Sequence, residues 1–342
     1  MKRAPRPVRA FLVYGLCRAA LGILALLPRR TGLLCGRLLG RIFYLLSPSH
    51  RRTALANLRR ALPGATDDAS RARIARAAFA HVGMICADAA YFPRILRRPT
   101  ESTAVYEGTE HLRAAAALGR GVLVFSGHFG HWELVALLQH RLGVPMAMVV
   151  RPLDNPVFDR YLKRLRALSG NRILPKRAAA RGVLRALRDR LGVALLIDQN
   201  VRGEGGVFVD FFGAPASTTP SLATFALKSG APVVPVFSYP QPDGRLRIVY
   251  RPALHPRRRG ALQEDILEFT RTCTRILEEE IRRHPELWFW MHNRWRTRPP
   301  EEAATRPAGT AAPPPGLGSS RGVHPPAAGA GLLRAPVTEA GA

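Results

Sequence analysis

The chain has 342 residues, of which 47% are hydrophobic, with four cysteines and a formal net charge of +28. Length and apolar content suffice for a sizeable core in one large or two small domains, which excludes a wholly disordered chain and removes any need for a disulfide framework. A charge of that size calls for an acidic partner: nucleic acid, an anionic membrane surface or a phosphorylated substrate.

The placement of the charge favours the membrane. No Asp or Glu precedes Asp67, whereas 13 Lys and Arg residues do, interleaved with Leu, Ile and Phe. That mixture suits a headgroup layer, where each basic residue is worth about 1 kcal/mol near an anionic surface. Residues 11–27 form an apolar run of 17, about 25 Å long as a helix and at the short limit for crossing a bilayer. Arg18 stands in its middle, at about 2.5–3.5 kcal/mol on insertion scales, so crossing is marginal. Pro28, Arg29 and Arg30 stop the run, and no small-residue cleavage site follows it, so it reads as an uncleaved anchor. Residues 33–46 carry Arg37 and Arg41 on one helical face with leucines elsewhere, an interfacial pattern. Residues 1–62 are accordingly assigned to N-terminal membrane-anchoring helices.

Residues 67–96 keep helical spacing behind the N-cap cluster TDDAS. After that the rhythm changes. Residues 121–127, 146–152, 193–199 and 231–240 are short continuous apolar runs, the mark of strands covered on both faces. Helical stretches at 132–141, 156–168, 178–190 and 220–229 alternate with them. The alternation predicts an α/β fold with a mixed, mostly parallel sheet flanked by helices. LRIVYRPAL, after the turn PDG, adds an antiparallel strand, and residues 264–283 a long amphipathic helix. Residues 63–298 thus read as a catalytic domain. From Pro299 the composition collapses to Ala, Gly and Pro, and residues 299–342 are expected to be disordered. Cys17, Cys35, Cys86 and Cys273 lack metal-ligand spacing and read as reduced, buried thiols.

The chemistry concentrates at SGHFGHWEL, where a strand ends and a helix begins, the place where open α/β sheets form their sites. On one continuous helix His128 and Glu133 would lie about 140° apart. His128 therefore belongs in the turn, where Gly127 and Gly130 let the backbone fold it back over the first helical turn carrying Glu133. A carboxylate beside an imidazole fixes its tautomer and raises its basicity, which makes a His–Glu pair a candidate general base for a hydroxyl. No G-x-S-x-G occurs, so the pattern points to direct attack by a substrate hydroxyl rather than an acyl-enzyme.

The segment H-F-G-H-W-E resembles the H-x-x-x-x-D/E motif of the bacterial lipid A biosynthesis acyltransferases, within the lysophospholipid and glycerolipid acyltransferase group. The blocks VVRPLDNPVFDRYLKRLR, IDQNVRGEGGVFVDFFGAPASTTPSLATFALKSGAPVVPVF and PELWFWMHNRWRTRP are similar to that family's later blocks, in the same order. The likeness covers roughly residues 10–298. It implies transfer of an acyl chain from a thioester, acyl-carrier protein or acyl-CoA, to a hydroxyl of a lipid A precursor. The place would be the cytoplasmic face of the inner membrane, without metal or cofactor.

By the same resemblance, His128 would take the hydroxyl proton and Glu133 would orient it. Arg151 is similar to an arginine that holds phosphate. Asp198 and Gln199 match a substrate-side acidic block, and Phe211, Phe212 and Gly213 would line an acyl channel. Arg166, Arg294 and Arg296 are candidates to meet acidic headgroups or the acidic carrier protein. His131 departs from the family, where Asn is common, and is expected to bond locally. Phosphatidylinositol mannoside is the alternative acceptor. A metal-dependent hydrolase using His128, His131 and Glu133 is a more distant alternative, since the spacing matches neither H-E-x-x-H nor H-x-x-E-H. A nucleic-acid binder has only the charge to support it.

Overall fold

The structure, a computed structural model, describes residues 7–64, 67–150, 155–175 and 179–300. Five helices come first: α1 (Pro7–Leu26), α2 (Arg29–Leu46), α3 (Pro48–Ala61), α4 (Asp68–Asp88) and α5 (Phe92–Arg97). Strands and helices then alternate through β1 (Ala104–Glu107), α6 (Thr109–Ala117), β2 (Val122–Ser126), α7 (Trp132–Leu138), β3 (Met146–Val150) and α8 (Pro156–Ala167). β4 (Arg172–Pro175), α9 (Ala179–Arg188) and β5 (Gly192–Leu196) follow. A separate hairpin, β6 (Val207–Phe211) and β7 (Ala214–Thr218), precedes α10 (Ser221–Ser229), β8 (Val233–Pro240), β9 (Leu246–Tyr250) and α11 (Leu262–Arg283).

Seven strands form one sheet in the order β1-β9-β8-β2-β5-β3-β4. Among the described residues of this sheet only β8 and β9 pair antiparallel; the other neighbours are parallel. β2, near the middle, is buried at every position, as its unbroken VLVFS run requires. Leu123 and Phe125 point into one core with Val193, Phe237 and Leu277, while Val122 and Val124 point into another with Leu112, Leu134 and Leu138. The helical stretch expected over 67–96 breaks into α4 and α5 at residues 89–91. Of the four cysteines only Cys273 is buried; Cys17 and Cys35 are half-buried and Cys86 is exposed. The tail from residue 301, expected to be disordered, lies outside the described residues.

α2 is built inside out relative to a helix of a water-soluble core. Its buried face is Gly32, Gly36, Gly40 and Tyr44, whereas Leu34, Leu38, Leu39, Ile42, Leu45 and Leu46 are exposed. Glycines four apart form a smooth stripe that lets two helix backbones touch. A Cβ on Gly36 would stand 2.6 Å from the Gly83 carbonyl oxygen on α4, and one on Gly40 2.2 Å from that of Phe79. α1 adds an exposed row of Phe11, Leu12, Val13, Leu16, Ile23 and Leu26. Arg18, the cation in its middle, stacks over the Tyr161 ring of α8 at 4.5 Å. No helix among the described residues is long and apolar enough to cross a membrane.

Gly36→Val should therefore force α2 off α4 and destabilise the fold by about 1–3 kcal/mol, the usual range for overpacking. Leu38→Gln on the outer face should leave the thermal midpoint of the detergent-solubilised protein nearly unchanged. Equal midpoints for the two variants in differential scanning fluorimetry would contradict this packing.

Candidate active site

β2 and β5 pair in parallel register from Val122↔Gly192 to Ser126↔Leu196. Continued two residues past both strand ends, the same register sets His128 opposite Asp198, at the carboxyl edge of the sheet. The turn between β2 and α7 needs both of its glycines. Gly130 has φ +56°, and a Cβ there would stand 2.0 Å from the Ser238 carbonyl oxygen; one on Gly127 would meet Leu277 at 2.9 Å and the Asp198 carboxylate at 3.1 Å. Backbone hydrogen bonds clamp the turn from the C-terminal segment: Phe289 N–H donates to His128 O at 3.0 Å and Gly130 N–H to Leu287 O at 2.9 Å. Ser238 Oγ receives the His131 N–H at 2.9 Å.

Asp198 is 4% exposed and its carboxylate accepts three hydrogen bonds. His128 Nδ1 lies 2.8 Å from Oδ1, while the His128 backbone N–H and Trp288 Nε1–H both donate to Oδ2 at 2.8 Å. With Nδ1–H facing a carboxylate, the Nε2 lone pair is left outward, and Gln199 Nε2 donates to it at 3.3 Å. The His128 side chain is 19% exposed and lies beside the rings of Trp132 and Phe289. Burial works against the His128 cation, but the charge and hydrogen bond of Asp198, with the charge of Glu133, more than offset it and raise its pKa. Burial likewise opposes the Asp198 anion, and His128 and Trp288 more than offset it, holding the carboxyl far below the ordinary range. The Asp198 contribution to stability is present above the ordinary carboxylate range and lost as pH falls through its folded value. That of His128 is complete below its ordinary value and lost as pH rises through the raised one, so the charged pair stabilises most between the two.

The expected orienting carboxylate is thus corrected: His128 Nδ1–H donates to Asp198, because strand register places it there. Glu133, on the first turn of α7, is held in a fork by Arg166 of α8, with Nη2 to Oε1 at 2.6 Å and Nε to Oε2 at 3.1 Å, and reaches His128 as a charge. Gln199 touches the imidazole as a hydrogen-bond donor. Phe211 and Phe212, expected to line an acyl channel, are buried, Phe211 against Trp288 and Trp295 and Phe212 against Trp290. Phe212 (φ +58°) and Gly213 (φ +72°) are the two turn residues of the β6–β7 hairpin, so the FFG segment meets a turn requirement. Arg294 is buried, with Nη1–H donating to Ser217 O at 2.7 Å and Nη2–H to Thr218 Oγ1, and it does not face a headgroup layer. Arg151 lies outside the described residues.

The hydrolase alternative needs His128, His131 and Glu133 to converge on one ion. Each is committed elsewhere, to Asp198, Asp88 and Arg166 respectively. Trp288 and Phe289 were not singled out for the site by the sequence, although the Trp-rich WFWMHNRW block was the available signal.

The arrangement is an oriented imidazole whose outward Nε2 lone pair, met by the Gln199 amide, is able to take a proton from a hydroxyl. A family model for the bacterial lipid A biosynthesis acyltransferases matches residues 3–297, and the chain belongs to that family. It is similar to the lipid A biosynthesis lauroyltransferase of Escherichia coli K12, 31% identical over 193 residues covering 56% of this chain and 61% of the relative. The lipid A biosynthesis myristoyltransferase of the same organism is 27% identical over 270 residues, 77% of this chain and 80% of the relative. The phosphatidylinositol mannoside acyltransferase of Mycobacterium tuberculosis H37Rv is 26% identical over 217 residues, 60% and 66% of the two chains. The match to the lauroyltransferase thus spans about three fifths of that relative's length.

In histidine-selective NMR titration, His128 should titrate above its ordinary value, and Asp198→Asn should bring it below that value, because burial remains when the carboxylate charge is gone. An unchanged His128 titration in Asp198→Asn would contradict the pairing.

Proposed function

We propose that the protein is an acyltransferase that moves a fatty acyl chain from a thioester, acyl-carrier protein or acyl-CoA, to a hydroxyl of a lipid A precursor. The observation that carries this reading is the Asp198–His128 pair with its outward Nε2. The acceptor hydroxyl displaces the Gln199 amide from Nε2 and gives its proton to His128 as its oxygen bonds to the thioester carbonyl carbon. Asp198 fixes the tautomer and stabilises the imidazolium that results. Collapse of the tetrahedral adduct breaks the carbon–sulfur bond, and the imidazolium returns the proton to the departing sulfur. The ester and a free thiol are the products, and no residue of the chain is acylated. Glu133, held by Arg166, adds negative charge near the imidazolium.

The exposed apolar faces of α1 and α2 suit the hydrocarbon boundary of a membrane, and the 13 basic residues that precede Asp67 suit anionic headgroups. We place the protein on this basis at the cytoplasmic face of the inner membrane. Insertion through leucines rather than charge alone should survive high salt, and paired Leu38→Glu and Leu39→Glu changes should release the protein into the soluble fraction. Release of the unmodified protein by 1 M salt would count against it.

Lipid A fits better than phosphatidylinositol mannoside because the family model and the more similar relatives carry that name. Mass spectrometry of membrane lipids from cells with and without the gene discriminates them. The expected result is a missing acyl mass on lipid A, restored by the wild-type gene and not by His128→Ala. A lipid A profile indifferent to the gene would overturn this assignment.

A further inference from the structure

A second buried histidine–aspartate pair lies behind the catalytic turn. His131 Nε2 is 3.0 Å from Asp88 Oδ2, and Asp88, the last residue of α4, has a fully buried side chain. Its carboxylate also receives the Arg29 fork, Nε to Oδ1 at 2.7 Å and Nη2 to Oδ2 at 2.6 Å, while Arg29 Nη1–H donates to Gly244 O at 2.6 Å. Arg29 opens α2, directly after the Pro28 corner that ends α1. On the other side of the imidazole, Nδ1 accepts the Leu134 N–H at 3.2 Å and so caps α7.

The two bonds of His131 are chemically linked. Nδ1 can cap α7 only while it is unprotonated, which puts the ring proton on Nε2, where Asp88 receives it. Burial opposes the Asp88 charge, but Arg29 and His131 more than offset it and hold the carboxyl down at about 2. If Arg29 withdraws, the Asp88 carboxylate loses the fork that fixes its position, and the imidazole it holds through Nε2 is free to turn Nδ1 away from the Leu134 N–H. The cap then fails at the first turn of α7. That turn carries Trp132, whose ring centroid is 5.2 Å from that of His128, and Glu133 in its fork with Arg166.

We propose that Arg29 and Asp88 are positioning residues: through His131 they couple the seating of α2, the helix with the exposed leucine face, to the geometry of the catalytic turn. The rate consequence rests on the acyltransferase reading; the coupling itself does not.

The test uses the full chain in detergent micelles. With ¹⁵N-labelled histidine and leucine, His131 should show an unprotonated Nδ1 and a protonated Nε2. In Arg29→Ala the His131 ring resonances and the Leu134 amide resonance should shift as the cap is lost, and in Arg29→Lys, which keeps the charge but loses the fork, they should shift part of the way. Assayed with a lauroyl acyl-carrier-protein thioester and a lipid A precursor, Arg29→Ala and His131→Leu should lower kcat by about tenfold to a hundredfold, the scale of slightly misplaced reacting groups, with KM for the thioester unchanged. His131→Asn supplies its own cap acceptor and should recover much of the rate lost in His131→Leu. In that background Arg29→Ala should have little further effect on kcat, the signature of a shared path. A His131 resonance pattern indifferent to Arg29→Lys and Arg29→Ala would overturn the proposal, as would additive effects of Arg29→Ala and His131→Asn. Should the wild-type chain transfer no acyl group, the acyltransferase reading fails, and the histidine spectra still decide the coupling.

Discussion

One buried carboxylate, Asp198, organises the site. It is kept ionised in the interior by three donors, two from His128 and one from Trp288, and each donor ties down a different part of the molecule. The His128 backbone N–H fixes the turn after β2, Nδ1 fixes the ring, and the indole fixes the segment after α11. An anion removed from water must be compensated on all sides, so the same bonds that make it tolerable also leave the imidazole with one orientation and one outward nitrogen. Catalytic capacity and local rigidity are here the same set of contacts.

The N-terminal helices follow a different logic. On α2 a stripe of glycine faces the protein and leucine faces outward, so the helix is held by close backbone approach and leaves its apolar side chains for something else to cover. Pro28 and Arg29 sit at the corner between α1 and α2, where α2 is tied to Asp88 at the end of α4. Arg29 is one of the basic residues that the charge distribution attributes to a headgroup layer, yet its guanidinium is committed to Asp88. Not every arginine of the N-terminal stretch therefore serves an anionic surface.

Much of the fold was legible. Continuous apolar runs such as VLVFS can satisfy their burial only between two helical layers, and the alternation of such runs with amphipathic stretches leaves few arrangements other than a parallel sheet. β1, β4 and the β6–β7 hairpin escaped notice because they are short, or because their side chains serve a turn rather than a periodic face, as Phe212 does. The position of the site was legible too, since Gly127 and Gly130 announce a tight turn after a buried strand. The partner of His128 was not. A carboxylate five residues along the chain is visible to spacing, whereas Asp198 is 70 residues away and becomes a neighbour only through strand register. Asp198 was recognisable as the acid at another strand's end, but its role needed the knowledge that β2 and β5 are adjacent. The glycines at 32, 36 and 40 were a signal in plain view, and their spacing of four marks the packed face of α2.

The central claim, that Asp198 rather than Glu133 directs the imidazole, is tested most directly by comparing acyl transfer rates of Asp198→Asn and Glu133→Gln in the same detergent and lipid. Asp198→Asn should lose about 10²–10⁴ in kcat, the span of an acid–base contribution, with the acidic limb of its pH–rate profile moved to lower pH. Glu133→Gln should lose clearly less. The reverse order of losses, or an acidic limb that stays in place in Asp198→Asn, would contradict the account.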